Sequence, residues 1–409
     1  MPRSMGSPLD DPHYKKTVDF LIAGLSLQFR VSQSLFSSHE IDVGTAFLLR
    51  TIHREAGEYR KVLDLGCGYG PIGITMKALN PDAVVHMVDR DALAVSYAAR
   101  NAKLNGLEHA TAYPSIGFDD VEDRDFDLIA TNVPGKAGSS VIASWLAEAP
   151  LHLRPGGQVA IVVVSSLESL VREAIEAIPG AEITLNHRRA GHAIFRYAVA
   201  PERLRPVPGD RSLDRGDYDR TDVTFRHGRH EYNLRTVYGL PEFDTLGHRT
   251  QLLFSVLETL KRKSSPPRVL VLNPGQGHIP LLLSRLFSPD SISMVDRDLL
   301  ALRCSARGLT MNGYDSSRVS MQHAESLEGD ESRYDLIVAH VSDDEGAQAN
   351  ASLFRQAADR MAPGGQMVVA AGSSTITRLT KTCRAERLGI VGARKRRQGN
   401  SVLVVSDNR

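Results

Sequence analysis

Two kinds of hydrophobic pattern alternate along the chain. Short runs such as Val62-Leu63-Asp64-Leu65 and Ile161-Val162-Val163-Val164 are almost continuously apolar, as strands buried on both faces must be. Between them lie stretches whose apolar positions recur at helical spacing. In the first half this pattern predicts strands near 60–65, 84–89, 109–113, 126–131, 157–164, 181–187 and 192–199. Helices are predicted near 43–56, 71–79, 91–105, 140–151 and 166–177. Such alternation marks βαβ units on a parallel sheet.

The pattern then repeats. Val62-Leu63-Asp64-Leu65-Gly66-Cys67-Gly68-Tyr69-Gly70 aligns with Val269-Leu270-Val271-Leu272-Asn273-Pro274-Gly275-Gln276-Gly277, a shift of 207 residues. The same shift places Met87-Val88-Asp89-Arg90-Asp91 on Met294-Val295-Asp296-Arg297-Asp298 and Asn105-Gly106 on Asn312-Gly313. About 18 of 45 positions are identical over this ungapped stretch, which marks a duplicated domain. Phe126-Asp127-Leu128-Ile129 matches Tyr334-Asp335-Leu336-Ile337, and Pro155-Gly156-Gly157-Gln158 matches Pro363-Gly364-Gly365-Gln366. The expected organisation is a first domain at 1–200, a linker at 201–220 rich in Pro, Gly and charge, and a second domain at 221–409.

Composition narrows the classes. With 42% hydrophobic and 24% charged residues the chain is ordinary globular protein, neither collagen-like nor disordered. No apolar run reaches transmembrane length, and Met1 to Asp11 has no apolar h-region, so neither membrane insertion nor secretion is expected. Three cysteines (Cys67, Cys304, Cys383) make no disulfide framework and lack metal-ligand spacing. A cytoplasmic, metal-free protein is the expectation. The net charge of +1 is uneven: residues 1–200 carry 19 basic and 23 acidic side chains, and 201–409 carry 30 and 25.

The candidate chemistry lies in the first copy. An apolar strand ending in Asp64 is followed by Gly66, Gly68 and Gly70 and then a helix. Glycines there let the backbone turn tightly and approach a ligand at a helix N-terminus. Asp89, about twenty residues on, ends the next strand, where a carboxylate can grip ribose hydroxyls. Gly68-x-Gly70-x-x-Gly73 also fits a dinucleotide fingerprint, which leaves a nicotinamide enzyme as an alternative. Three features point elsewhere: the acidic residue before the first glycine, Asp127-Leu128-Ile129-Ala130-Thr131-Asn132-Val133-Pro134 ending the fourth strand, and the Leu153–Gly157 turn into the fifth.

On these residues the sequence resembles the class I S-adenosylmethionine (SAM)-dependent methyltransferases. More narrowly, it resembles the "methyltransferase small" family of ribosomal RNA guanine-N2 methyltransferases. The likeness covers nearly all of 13–199, including His13-Tyr14, Leu35-Phe36-Ser37, Ile41-Asp42-Val43-Gly44-Thr45, Asn101-x-x-x-Asn105-Gly106 and Gly191-His192-Ala193-Ile194-Phe195-Arg196. It implies two tandem Rossmann-like SAM-methyltransferase domains, each a mostly parallel seven-stranded sheet flanked by helices. It also implies that Gly66, Cys67, Gly68 and Gly70 pack against the methionine part of SAM, with Asp64 near its amino group and Asp89 and Arg90 at the ribose. Asn132, with the backbone before Pro134, would accept hydrogen bonds from the exocyclic amine of guanine, making Asn132 and Pro134 the catalytic pair. RNA, ribosomal in the family, is the implied partner. Two-domain members carry one active and one degenerate copy, the degenerate one first; here the better preserved copy comes first.

Two positions depart from the family. Its catalytic motif is Asn-Pro-Pro-Phe/Tyr, with the ring stacking on the flipped base, whereas this chain has Asn132-Val133-Pro134-Gly135. An aspartate that reads the adenine amine is replaced by Ile116, with Asp119 and Asp120 as possible substitutes. A SAM-dependent enzyme on a small molecule or protein, and a non-catalytic RNA-binding scaffold, therefore stand as alternatives. In the second copy Asp64 becomes Val271, Gly66 becomes Asn273 and Asn132 falls at His340. Basic runs at His187-Arg188-Arg189 and Arg394-Lys395-Arg396-Arg397 occupy equivalent late hairpins, either solvated turns or phosphate contacts. Oligomeric state is left open.

Overall fold

A computed structural model describes residues 10–54, 58–204, 211–260, 267–329, 331–390 and 395–406. Residues 205–210 of the expected linker and Arg394 of the second basic run lie outside the described residues. The chain forms two compact units, Lys15–Tyr218 and Asp219–Arg409, the latter including the segment up to Tyr14.

The first unit opens with the hairpin β1 (Tyr14–Ile22) and β2 (Leu25–Ser32), which the sequence reading did not include. There follow α1 (Val43–Arg54), β3 (Lys61–Leu65), α2 (Pro71–Leu79), β4 (Val84–Asp89), α3 (Ala92–Leu104), β5 (Ala110–Pro114) and β6 (Phe126–Asn132). The unit closes with α4 (Ser139–Glu148), β7 (Leu153–Val164), α5 (Glu168–Glu176), β8 (Ala181–Arg189) and β9 (His192–Val199). Seven strands form one sheet in the order β5-β4-β3-β6-β7-β9-β8. All pairings are parallel except those of β9.

Strand alternation splits the core. Val62, Val85, Met87, Leu128 and Ala130 face α1, α2 and α3, while Leu63, Leu65, Val88, Ile129 and Ile161 face α4 and α5. Both faces are therefore covered, which explains the nearly continuous apolar strands. The hairpin joins the first layer through its period-2 positions Val18, Phe20, Ile22, Leu27, Phe29 and Val31. Asn101 of α3 and Asn105 at its C-cap stitch it down: the Asn101 Nδ2 donates to the carbonyls of Arg30 (3.0 Å) and Tyr69 (2.9 Å), and the Asn105 Nδ2 to that of Gln28 (2.7 Å).

The second unit follows the same plan. After α6 (Ser212–Arg215) come the hairpin β10 (Asp219–His227) and β11 (His230–Val237), α7 (His248–Leu257), β12 (Arg268–Leu272), α8 (His278–Phe287), β13 (Ser291–Asp296), α9 (Leu299–Met311) and β14 (Val319–His323). Then follow β15 (Tyr334–His340), α10 (Ala347–Ala358), β16 (Met361–Gly372), α11 (Ser373–Ala385), β17 (Gly389–Ile390), β18 (Lys395–Arg397) and β19 (Asn400–Ser406). Its sheet runs β14-β13-β12-β15-β16-β19-β17, with β18 added against β19, one strand more than expected. Asn312 repeats the stitch of Asn105, its Nδ2 donating to the Asn233 carbonyl at 2.7 Å. Among the described residues no helix is long and apolar enough to cross a membrane.

Candidate active site

The carboxyl ends of β3, β4 and β6 meet at one crevice of the first unit, the place where open α/β sheets bind ligands. Gly66, Gly68 and Gly70 all have left-handed backbone, with φ of +73°, +55° and +93°. Their surroundings separate them. A Cβ on Gly66 or Gly68 would meet nothing within 4 Å among the described residues, whereas one on Gly70 would stand 2.8 Å from Ile74 Cδ1 and 3.3 Å from the Ala98 backbone. Gly66 and Gly68 leave open space above the loop; Gly70 lets α3 approach α2. Gly73 likewise seats α2 on the sheet, since a Cβ there would lie 2.5 Å from Met87 Cγ.

Two carboxylates fix this loop. Asp89 at the end of β4 accepts from the backbone N–H of Gly68 (2.9 Å) and of Asp91 (3.0 Å), and Arg90 sits half-buried beside it. Asp64 is fully buried. Its Oδ2 accepts from Gly73 N–H at 2.8 Å, but its Oδ1 is buried without a partner among the described residues. Burial pushes its pKa up to about 7, helped by repulsion from Asp89 and opposed by the Gly73 bond. An anion short of one donor is what a cationic group at this loop would relieve. Cys67 is buried too, and burial together with the carboxylates of Asp89, Asp64 and Asp91 raises its thiol well above the ordinary range, which disfavours the nucleophilic thiolate.

Asn132 ends β6, half-buried at the mouth of the crevice. Its Nδ2 donates to Asp42 Oδ2 (2.9 Å) and to Thr45 Oγ1 (2.9 Å). A carboxylate can only accept, so Asp42 forces the amide nitrogen to its side and turns Asn132 Oδ1 the other way. Asp42 precedes α1 and also accepts the Thr45 N–H at 3.0 Å, so its own position is set by the helix start. Sequence reasoning marks Ile41–Thr45 as part of the family likeness without assigning either residue a role. An Asp-x-x-Thr pair at a helix start reads locally as a cap, and only the fold brings it to Asn132.

The two departures from the family have structural counterparts. Gly135 is exposed, and a Cβ there would meet only Val164 Cγ2, at 4.0 Å, so no side chain of the described residues replaces the missing ring at that spot. Ile116 is fully buried. Asp119 Oδ1 accepts from Ser212 N–H at 2.7 Å and Asp120 lies 3.9 Å from Arg211, so both are engaged by the segment that follows the first sheet. Trp145 is half-buried over the same loop, with Nε1 donating to the Tyr218 hydroxyl at 3.2 Å.

In the second unit the corresponding crevice is filled from within. Asn273 keeps the left-handed backbone of Gly66, at φ +57°, a conformation Asn tolerates better than most residues. Its side chain spans the opening to donate to the His340 carbonyl at 2.9 Å. Asp296 is buried, which raises its pKa well above the carboxylate range. The remaining crevice, lined by His13, Asn273, Arg297, Glu325 and Glu345 among others, holds about 20 Å³, room for a single water. Arg249 is held beside the end of β15: Nη1 donates to the Val341 carbonyl (2.8 Å), Nε to Asn400 Oδ1 (3.0 Å) and Nη2 to Asp343. In the first unit Gly44 stands at the corresponding position, against His192, the repeat counterpart of Asn400. Among the described residues no group of three His, Cys, Asp or Glu side chains is placed to hold a metal.

A doubly covered α/β sheet with an open glycine loop, an acidic strand end and an oriented amide is an arrangement suited to a nucleotide-type cofactor, with an acceptor for a polar group beside it. The Methyltransferase small domain family model matches residues 26–185 and again 232–382, well over half of the chain, and the chain belongs to that family in tandem duplicate. It is 32% identical over 150 residues to the uncharacterised protein YbxB of Bacillus subtilis, covering 36% of this chain and 74% of that one. It is 38% identical over 137 residues to ribosomal RNA small subunit methyltransferase C of Haemophilus influenzae, a match spanning 32% of this chain and 40% of that protein's length. The solved RsmC 16S rRNA N2 methyltransferase of T. thermophilus, in complex with AdoMet and guanosine, shares the fold over 97% of this chain and 99% of its own, with TM-score 0.67 at 19% identity.

Proposed function

We propose that the first copy is a SAM-dependent methyltransferase acting on the exocyclic amine of a guanine in ribosomal RNA, and that the second copy does no chemistry. The observation that carries this reading is the Asp42–Asn132–Thr45 arrangement beside the open loop at Gly66 and Gly68. SAM, when bound, supplies an electrophilic methyl group on a sulfonium. The residues present fit it: space over two glycines, a buried unpartnered Asp64 Oδ1 at the loop, and Asp89 at the neighbouring strand end. Asn132 Oδ1 has no partner among the described residues and accepts one N–H of the incoming amine. That bond aims the nitrogen lone pair along the line of displacement, and orientation supplies most of the rate. An amine that has gained a methyl group sheds a proton to water, so no strong base is needed at the site.

Membership of the family and the match to the H. influenzae enzyme support RNA as substrate. Gly135 favours a second reading, a substrate that needs no stacking ring. One assay separates them: transfer of labelled methyl from SAM to unmodified small-subunit ribosomal RNA, followed by nucleoside analysis. N2-methylguanosine in wild type and its loss in Asn132→Ala is the expected result. Label on another nucleoside, or only on protein or small molecules, would overturn the guanine assignment.

A further inference from the structure

The first unit carries a second concave feature, on the far edge of its sheet. An open groove of about 640 Å³ runs along edge strand β8 and is lined by Phe47, Arg54, Arg172, His187, Arg188 and Arg189, among others. Three elements contribute to it: the consecutive α5 and β8, and α1 from far upstream in the chain. That convergence distinguishes it from a solvated basic turn, which is all the run His187-Arg188-Arg189 suggests by itself.

Its arginines fall into two pairs. Arg172 and Arg188 are held in place. Both approach Glu168 Oε1, at 3.6 Å and 2.7 Å, and the Arg172 guanidinium also lies over the Phe195 ring at 5.3 Å. Arg54 and Arg189 are exposed and have no carboxylate partner among the described residues. One carboxylate therefore anchors two arginines and leaves the four-arginine groove strongly positive. Phe47 offers part of an aromatic face among the cations. Arginines interleaved with an aromatic side chain suit a single strand, whose phosphates take the charge and whose bases take the ring.

A short chain of contacts links the groove's edge to Asn132. Arg189 is the register partner of His192, and His192 is the partner of Val164 at the end of β7. The His192 ring lies against Gly44, where a Cβ would approach its Cδ2 to 2.7 Å. Gly44 stands two residues from Asp42, which orients Asn132. The second copy keeps basic residues at the equivalent hairpin, Lys395-Arg396-Arg397, but not at the helix positions that complete the groove. At the repeat counterparts of Arg54 and Arg172 it carries Thr259 and Thr380.

We propose that this groove holds the sugar-phosphate backbone of a single-stranded RNA segment flanking the nucleotide that enters at Asn132. The proposal rests on the reading of the first copy as an RNA methyltransferase. It assigns the docking surface to the same copy as the chemistry, not to the basic second half of the chain.

The test uses the full chain, SAM, a fluorescein-labelled mixed-sequence RNA oligonucleotide and unmodified small-subunit ribosomal RNA. Arg54→Gln with Arg189→Gln removes the two unpaired cations. Lys103→Gln, on the exposed face of α3 at the opposite sheet edge, removes one cation away from the groove. Calorimetric SAM affinity should be the same in all three proteins, which checks folding. The double variant should show a salt dependence of RNA binding shallower by about 0.7 for each phosphate no longer neutralised. Its KM for ribosomal RNA should rise about tenfold or more with kcat retained, as for interactions made equally in ground and transition states. Lys103→Gln should match wild type. A wild-type salt slope and wild-type KM in the double variant would overturn the groove while leaving the methyltransferase reading intact. So would RNA binding unchanged while binding to phosphatidylserine vesicles is lost. Wild type that binds SAM but methylates no RNA would instead remove the reading beneath the proposal.

Discussion

The two copies share a fold and differ in what fills the ends of their strands. In the first, the loop after β3 is bare above Gly66 and Gly68, and Asn132 presents an oxygen to the crevice. In the second, Asn273 lies across its own loop and Arg249 stands at the repeat counterpart of Gly44. Neither replacement disturbs the sheet, because each satisfies its new polar groups with nearby carbonyls and side chains. The crevice can thus close while the core stays the same. The side chains that close the site become hydrogen-bonded structure.

Removing the Asn132 acceptor should have the largest effect on this contrast. Asn132→Ala should lower methyl transfer about 1,000-fold with SAM affinity unchanged, on the scale of removing one preorganised polar partner of the reacting group. A loss below tenfold would take Asn132 out of the catalytic role.

Next come the strand-end aspartates. Asp89→Ala should weaken SAM binding by roughly 10- to 100-fold, the worth of charged hydrogen bonds, measured by calorimetry. Asp296→Ala should leave SAM binding untouched. Equal losses in the two variants would mean that the second crevice opens and binds.

Asp42→Ala tests orientation rather than direct contact. With only Thr45 left to hold the amide, Asn132 is free to turn, and kcat should fall about 10- to 100-fold while KM for SAM stays constant. A parallel rise in KM for SAM would assign Asp42 to the fold of the loop instead.

Asp64 gives a pH signature that Val271 cannot give. Its carboxyl titrates near 7 in the folded chain, above its ordinary value. Its contribution to stability is therefore fully present below the ordinary carboxylate range and is lost as pH rises through about 7. Since the ionised form suits a cationic ligand, SAM affinity should rise about tenfold or less between pH 6 and 8, and Asp64→Asn should flatten both the affinity and the thermal-midpoint profiles. An affinity that falls over this range would contradict the placement of a cation at this loop. Smallest of all, Cys67→Ala should leave kcat within about twofold, as a buried thiol that only fills space requires.

Much of the architecture was legible in one dimension, and the misses have physical causes. Strands buried on both faces leave apolar runs, and the duplication made each copy a check on the other. The hairpins β1–β2 and β10–β11 were missed although Val18, Phe20 and Ile22 alternate cleanly with exposed positions; a hairpin with one wet face has no continuous apolar run to mark it. The added strand β18, three residues long, is too short for any period to show.

The sequence by itself determined that there are two copies, that the first keeps an acidic strand end, a glycine loop and an asparagine after the fourth strand, and that the second has lost most of these. Those are local matters of residue type and spacing. Tertiary structure alone decided what each residue does. Glycines that look alike in the sequence separate into Gly66 and Gly68, which leave space, and Gly70 and Gly73, which permit packing, because only the neighbours across the fold distinguish them. Asp42 reaches Asn132 across 90 residues and Arg249 reaches Val341 across 92. No periodicity encodes such pairings, since they arise when the sheet brings the ends of distant strands and the start of a helix to one edge.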